Sequence, residues 1–276
     1  MLALLTNEYF LIIFAMMLAA IPVGFFAGLF GIGGGLISVP FLFYIFEILK
    51  IEKDFLMHLS VGTAFAITIM TATSSVLAHK KHKAVNFYLV KAFGSGVLIG
   101  VIIGTIFAAI VNTKYLILFF SIIVLIFSFY LFFNKESRSE KVQDFSLSSK
   151  LILGLISGFI STPMGITGAM MNVPIFKYFG YEIKMAIGSA AAIGFIIALF
   201  GATGFLISGF ILKADLPFSL GFINIPAFFI FVPITTIMAR VGANTVHKME
   251  RNRIQKYFGI FLFIIALKFF HEYFTF

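Results

Sequence analysis

Long apolar runs separated by short polar segments dominate this chain. Each run approaches or exceeds the roughly 20 residues that a helix needs to cross a hydrocarbon core of about 30 Å. Because the runs are continuous and do not alternate between apolar and polar positions, they predict helices rather than the strands of a barrel. The predicted membrane runs are Tyr9–Phe30, Leu59–Ala78, Phe87–Ile110, Tyr115–Phe133, Met185–Leu212, Leu216–Met238 and Tyr257–Phe274. The sequence therefore predicts an all-α integral membrane protein.

The composition leads to the same class. Of the 276 residues, 61% are hydrophobic and 11% are charged, and a soluble domain cannot hide that much apolar surface. A net charge of +9 is common in proteins that bind nucleic acid, but here the basic residues lie between apolar runs, where they set the orientation in the membrane. We therefore expect no nucleic-acid partner. Cysteine is absent and no nucleotide-binding fingerprint occurs, so no cofactor is expected.

A polar stretch at Asn134–Lys150 divides the chain into two parts of similar length. We assign residues 1–133 to a first membrane repeat, residues 134–150 to a polar cytoplasmic linker and residues 151–276 to a second membrane repeat. Similar glycine, proline and polar positions recur in both parts, in the same order and at nearly the same spacing, which predicts an internal repeat. The matching elements are Gly28 with Gly158, Pro40 with Pro174, Val61–Ala64 with Ile187–Ala190, and Asn86 with Asp215.

Lysine and arginine residues predict how the repeats are oriented, because positively charged loops prefer the cytoplasm. Basic residues concentrate in 79–91, in 240–256 and in the linker. If all three segments are cytoplasmic, Leu151–Phe179 enters and leaves the membrane on one side, and its counterpart in the first half does so on the other side. The halves then form an inverted repeat, each with a glycine-interrupted first element and three further transmembrane helices, as in many secondary transporters. A different number of crossings would make the repeats parallel.

Glycine-rich interruptions mark the predicted binding site. The run Gly31–Gly35 is unfavourable in a straight helix, since each glycine costs up to about 1 kcal/mol relative to alanine, but it allows a ligand to approach the backbone closely. A helix that begins after this run directs free N–H groups and the positive end of its dipole toward the interruption, which favours an anion. Met164–Gly168 supplies a matching interruption in the second half. We expect the two interruptions to face each other near the middle of the membrane.

The polar residues around the interruptions are uncharged, and their hydroxyl and amide groups can donate hydrogen bonds to an oxyanion. A cation site would require an Asp or Glu, and neither residue lies within the interruptions. Two alternatives stay open. Glycines at four-residue spacing also serve helix packing, which we favour for Gly24 and Gly28, and a Ser or Thr hydroxyl often bonds to its own helix. The predicted substrate-binding residues are Gly31, Gly33, Gly34, Gly35, Ser38, Thr63, Gly165, Thr167, Gly168, Asn172 and Ser189. We predict no catalytic residue and no metal ligand.

Two motifs resemble those of a known family. The segment Gly28-Leu-Phe-Gly-Ile-Gly-Gly-Gly-Leu-Ile-Ser-Val-Pro40 and the segment Gly158–Pro174 are similar to the paired motifs of the TauE/SafE sulfite exporter family. The resemblance covers nearly the whole chain. It implies a transporter of sulfite, thiosulfate, sulfonates or related organic anions in the bacterial cytoplasmic membrane. The second motif departs from the first at Thr167, which occupies the position of Gly33.

These observations predict a secondary transporter, or permease, that holds a small anion between the two interruptions and works by alternating access. Sulfite or another sulfur-containing or organic anion is the expected substrate, the lipid bilayer is a further partner, and a proton or a sodium ion is the candidate coupling ion. We expect no enzyme, because the histidines lie at loops or helix ends and no metalloprotease signature occurs. The alternative is a scaffold or assembly subunit, although it would not require two matching interruptions. The sequence favours no particular oligomeric state.

Overall fold

The computed structural model describes residues 2–30, 33–133, 146–246 and 251–276. Within these ranges the chain is almost entirely helical, with one short 3-10 helix (Lys53–Phe55) and one hairpin of strands β1 (Ser219–Leu220) and β2 (Ile223–Asn224). Gly31 and most of the predicted linker lie outside the described residues. The α-helices are α1 (Leu2–Phe30), α2 (Gly35–Ile48), α3 (Leu56–Lys81), α4 (Phe87–Ile110), α5 (Thr113–Phe133), α6 (Leu147–Met164), α7 (Ala169–Tyr178), α8 (Ile183–Ile211), α9 (Ile225–Val246) and α10 (Arg251–Thr275).

Eight of these helices are long and apolar enough to cross a membrane, counted over the described ranges. They are all the helices except α2 and α7, which are shorter. Their lipid-facing sides carry many exposed Ile, Leu and Phe side chains, as a bilayer requires. The chain is therefore an all-α, multi-pass membrane protein, as the apolar runs predict.

One helix begins later than the sequence predicts. The apolar run Leu216–Met238 predicts a helix from its first residue, but α9 begins only at Ile225. Phe218 and Gly221 each have a φ angle of 52°, which no α-helix contains, and the chain forms a hairpin there instead. Phe222 of the hairpin is completely buried, whereas Phe218 and Leu220 are 75% and 53% exposed, so only one side of the hairpin packs into the protein.

Close glycine contacts show the direction in which α4 and α6 pack. Gly96 of α4 faces Leu151 of α6, and Gly104 faces Thr162, so both helices run in the same direction. A Cβ atom at Gly96 would overlap the carbonyl oxygen of Leu151, so only glycine allows the two backbones to come this close. The two helices therefore form a tight parallel pair.

Helices α1 and α9 form a second parallel pair. Gly24 lies against Thr235 and Gly28 against Ala239, again in ascending order along both helices. A Cβ atom at Gly28 would overlap the backbone of Ala239. Gly24 and Gly28 therefore pack helix against helix, which is the role that glycines at this spacing often have.

Helices α3 and α8 cross at the centre of the protein. They are antiparallel, because Gly62 lies against Phe205 while Phe65 lies against Gly201. Helix α3 is the most deeply buried of the eight candidate spans. The helices pack chiefly in four pairs, each with one helix from either half: α1 with α9, α3 with α8, α4 with α6, and α5 with α10. The two halves of the chain therefore interlock around α3 and α8.

Candidate functional site

Two interruptions break the helical path beside α3 and α8. The first interruption lies between α1 and α2, and the second lies between α6 and α7. The residue before each short helix is a left-handed glycine, Gly34 with φ of 83° and Gly168 with φ of 67°. Gly33 and Gly165 also have positive φ angles, of 71° and 69°. Glycine adopts this conformation without steric cost, which explains why glycine occupies these positions in both halves.

The two interruptions are in direct contact. A Cβ atom at Gly35 would overlap the carbonyl oxygen of Gly165. A Cβ atom at Gly33 would lie 2.9 Å from both Cγ2 and Oγ1 of Thr167. The start of α2 thus rests on the end of α6, and residues from opposite halves of the chain meet at one buried point.

Thr167 fills a space that two glycines leave. On one side lies Gly33, and on the other side a Cβ atom at Gly194 of α8 would lie 2.9 Å from the Cβ of Thr167. Thr68 of α3 borders Gly33, with its Cγ2 3.3 Å from the corresponding Cβ position. The first half therefore has glycine at the interruption and threonine on the neighbouring helix, and the second half has the reverse. This exchange keeps the centre filled and explains why Thr167 departs from the glycine of the first motif.

Polar groups surround Gly168 at the start of α7. Ser157 Oγ, Ser161 Oγ and Asn172 Nδ2 lie 3.0, 2.9 and 3.1 Å from the position that a Cβ of Gly168 would take. All three side chains are completely buried. Ser157 Oγ donates a hydrogen bond to Asn172 Oδ1 over 2.6 Å. Ser161 Oγ and Asn172 Nδ2 find no hydrogen-bond partner in the described part of the chain.

The first interruption holds its polar groups differently. Ser38 Oγ donates to the carbonyl oxygen of Gly35 over 3.3 Å, so this hydroxyl bonds to its own helix. Thr71 Oγ1 donates to the carbonyl oxygen of Gly33 over 3.2 Å. Thr68 is 1% exposed, and its Oγ1 has no partner among the described residues. Ser38 and Asn172 are the fourth residues of α2 and α7, so their side chains occupy matching positions with different roles.

Thr63 and Ser189 take part in two matched helix contacts. Thr63 Oγ1 accepts a hydrogen bond from the backbone N–H of Asn224 over 2.9 Å, and Ser189 Oγ accepts one from that of Asn86 over 3.0 Å. Each asparagine Oδ1 accepts the N–H of the residue three positions later, at the start of α9 and of α4. In the structure, the residue that matches Asn86 is therefore Asn224. The internal repeat in the sequence predicts Asp215 instead, because the hairpin that precedes α9 moves the matching residue further along the chain.

The structure groups most of the predicted residues and separates two of them. Thr63 and Ser189 bind backbone outside the interruptions, and Gly31 lies outside the described residues. The predicted residues at the two touching interruptions are Gly33, Gly34, Gly35, Ser38, Gly165, Thr167, Gly168 and Asn172. The residues that the sequence prediction missed are Ser157, Ser161, Thr68, Thr71 and Gly194. The four-residue spacing of the two serines, which places both on one helix face, is a signal that could have found them.

The helices around the interruptions carry no charged residue at this depth. The sequence contains no Asp, Glu, Lys, Arg or His in 33–46, 59–78, 92–111, 151–176 and 185–212. Both α2 and α7 direct the positive end of their dipoles toward the interruptions. The region therefore offers neutral donors and two helix N-termini, which can hold an anion without a permanently buried charge.

Many apolar spans, two interrupted segments in contact and an uncharged polar centre define a polytopic membrane protein of the transporter class. The chain belongs to the family described as Sulfite exporter TauE/SafE, which matches residues 16–269. The resemblance that the two glycine motifs carry is thereby confirmed, and the family is one of membrane transporters.

Curated relatives agree with this class. A "Probable membrane transporter protein" of Haemophilus influenzae is 29% identical over 90% of this chain and 94% of its own length. "Probable membrane transporter protein YunE" of Bacillus subtilis is 25% identical over the same shares of the two chains. A probable membrane transporter protein of Methanocaldococcus jannaschii is 22% identical over 94% of this chain and 96% of its own. No solved structure matches the chain significantly.

Proposed function

We propose that this protein is a secondary transporter of a small anion, with sulfite or another sulfur-containing or organic anion as its substrate. The observation that carries the proposal is the contact between the two interruptions, where Gly35 meets Gly165 and Gly33 meets Thr167. Two helix N-termini and several neutral donors converge there, and the surrounding segments contain no charged residue. The family description supports sulfite as the first substrate to test.

The substrate is proposed to be an anion because α2 and α7 direct the positive ends of their dipoles toward the interruptions, where hydroxyl and amide groups can also donate hydrogen bonds. A helix N-terminus carries the equivalent of about half a positive charge, and its effect is strongest in a site that excludes water. A cation would meet these dipoles unfavourably and would find no carboxylate in the surrounding segments. A proton or a sodium ion remains the candidate for coupling transport to a gradient, and it would bind elsewhere.

The helix directions support an inverted repeat. Helix α6 is parallel to α4, and α4 is parallel to α8, because Gly94 lies against Ile193 and Gly204 against Thr105. Helices α6 and α8 therefore point the same way, and α7 returns to the side where α6 began. Helix α1 is parallel to α9, which runs back from α8 and hence points opposite to α6. The α1–α2 segment then re-enters from one side of the membrane and the α6–α7 segment from the other, with the basic segments 79–91 and 240–256 in the cytoplasm.

The close contact of the interruptions supports alternating access as the proposed mechanism. Since the backbone at Gly35 touches that at Gly165, an anion fits between them only when the two segments separate. A small movement of one re-entrant segment against the other would open the centre toward one side at a time. The bacterial cytoplasmic membrane is the proposed location.

Counterflow in proteoliposomes tests the transport proposal. Sulfite, thiosulfate, taurine and sulfoacetate would be compared with chloride and acetate, using the full chain. We expect uptake of at least one sulfur oxyanion and a lower rate for Thr167→Val, which keeps the shape of the side chain but removes its hydroxyl. Thr235→Val is the matched control, because Thr235 is equally buried and its hydroxyl bonds to Phe231 of its own helix. Folded protein that moves none of the sulfur anions would overturn the sulfur assignment, and a chain that moves no anion at all would favour the scaffold alternative.

A further inference from the structure

The start of α7 is lined by buried donors that the fold does not use. Ser161 and Asn172 are each 0% exposed, and Ser161 Oγ and Asn172 Nδ2 lack partners within the described ranges. A buried polar group without a partner opposes folding and is rare in native proteins. Two such groups, both within about 3 Å of the Cβ position of Gly168, occur at one point. Such a cluster requires an explanation beyond packing.

Ser157 explains how the amide is held. Its hydroxyl donates to Asn172 Oδ1 over 2.6 Å, which occupies the amide oxygen and leaves the Nδ2 hydrogens for another acceptor. Gly168 has no side chain, so the space between these groups stays free of a Cβ atom. The backbone N–H groups at the start of α7, a helix of 10 residues, face the same region. We name Ser157, Ser161, Gly168 and Asn172 the α7 seat.

We propose that the α7 seat binds the oxyanion group of a singly charged anion, such as a sulfonate or hydrogensulfite, and that a doubly charged oxyanion binds it much more weakly. This inference rests on the proposed function for the sign of the ligand and adds to it the binding residues and the charge of the ligand. A hydroxyl, an amide and one helix N-terminus satisfy the oxygens of one such group.

The charge preference follows from the surroundings of the seat. The cost of burying an ion grows with the square of its charge, so a dianion costs about four times as much as a monoanion in the same site. No lysine, arginine or histidine occurs in 151–176 or 185–212, and neutral donors alone offset a single charge. A site for a dianion would instead require buried cationic side chains.

The described part of the first half places the unpartnered hydroxyl of Thr68 beside Gly33, but no amide at the position of Asn172. Ser38 holds the position of Asn172, but its hydroxyl donates to Gly35 and is not available to a ligand in this conformation. The chemical recognition of the anion is therefore assigned to α6 and α7, and the start of α2 contributes backbone alone.

Isothermal titration calorimetry with the purified full chain tests the seat. Methanesulfonate serves as the fixed monoanion and sulfate as the fixed dianion, at constant ionic strength. We expect methanesulfonate to bind the wild type and sulfate to bind at least about tenfold more weakly. Ser161→Ala should weaken methanesulfonate binding by about tenfold, as expected for a hydrogen bond to a charged group.

The matched control is Ser121→Ala. Ser121 is also 0% exposed in a membrane helix, but its hydroxyl donates to Ile117 over 2.6 Å. This variant should bind methanesulfonate like the wild type. Ser161→Ala should also unfold at the same or a higher temperature without ligand, because it removes an unpartnered buried hydroxyl. A purely structural role of Ser161 predicts unchanged binding and a lower unfolding temperature.

Three results would overturn the seat: equal binding to Ser161→Ala and wild type, sulfate binding as tight as methanesulfonate, or no binding of either anion. Counterflow of methanesulfonate separates the seat from the proposed function. Binding that depends on Ser161 without any counterflow supports the seat and overturns transport. Counterflow that Ser161→Ala leaves unchanged overturns the seat and supports transport.

Discussion

Gly35 and Gly165 touch across the centre of the protein, so closely that neither the start of α2 nor the end of α6 has room for a side chain at this point. Both residues are buried, and they come from opposite halves of the chain. The contact joins the two interruptions that carry the proposed site. It also holds the centre closed in this conformation, so the molecule must change shape before an anion can enter between them.

The contact predicts that Gly35→Ala is strongly destabilising. The added methyl would overlap the carbonyl oxygen of Gly165, and separating the two segments should cost about 1–3 kcal/mol. Thermal unfolding in detergent measures the effect. Gly94→Ala is the control, because its Cβ would make ordinary contacts at 3.4 Å with Ile193 and Ile196 and alanine favours a helix. Equal unfolding temperatures for the two variants would contradict the contact.

Thr167 and Gly194 should be energetically coupled. Gly194→Ala places a Cβ 2.9 Å from that of Thr167, so the single substitution should lower the unfolding temperature. Thr167→Gly removes the obstructing atom. In the double variant Gly194→Ala should then cost less, giving a coupling of about 0.5–3 kcal/mol. A double-mutant cycle of unfolding free energies measures it, and simple additivity would show that the two residues do not pack as described.

The matched contacts of Thr63 and Ser189 predict a loss of stability. Ser189→Ala leaves the backbone N–H of Asn86 without its acceptor, and Thr63→Val does the same to Asn224. Each substitution should cost about 1 kcal/mol or somewhat more. Thermal unfolding again gives the measurement, with Thr203→Val as a control whose hydroxyl bonds to Leu199 within α8. Unchanged stability with weaker anion binding would instead make the two residues substrate ligands, as the sequence alone predicts.

The inverted repeat predicts opposite accessibility for two matching glutamates. Glu52 and Glu182 each precede the helix that follows a re-entrant segment, and both are exposed. Since the chain lacks cysteine, Glu52→Cys and Glu182→Cys each introduce a single label site. A membrane-impermeant maleimide applied to intact cells should label the first from outside, and the second should react only after permeabilisation. Lys81→Cys is the cytoplasmic control. Labelling of both glutamate positions from the same side would indicate parallel repeats.

The sequence predicts the membrane class well because length and apolarity are local properties. Runs such as Phe87–Ile110 appear in the structure with the same bounds, since a membrane helix satisfies its backbone internally. The hairpin before α9 was missed for a related reason. Most of its side chains are apolar, as in a span, but the positive φ angles at Phe218 and Gly221 and the strand pairing distinguish it from a helix.

The site was only partly accessible from the sequence. Glycines such as Gly34 and Gly168 can be found because their backbone conformation demands them. The hydrogen-bond partners of Ser38, Thr63 and Ser189 could not be found, because a hydroxyl in a membrane helix bonds to its own backbone, to another helix or to a ligand with equal chemical ease.

By itself the sequence determined the class of protein, the positions of most of the spans, the family and the two glycine interruptions, since each depends on residues close together along the chain. Only the tertiary structure decided that the interruptions touch and that Thr167 fits between Gly33 and Gly194. It also decided that Ser161 Oγ and Asn172 Nδ2 find no hydrogen-bond partner among the described residues. These relations join residues from separate helices. They depend on which helix faces pack together, and apolar membrane segments do not encode those faces in any local pattern.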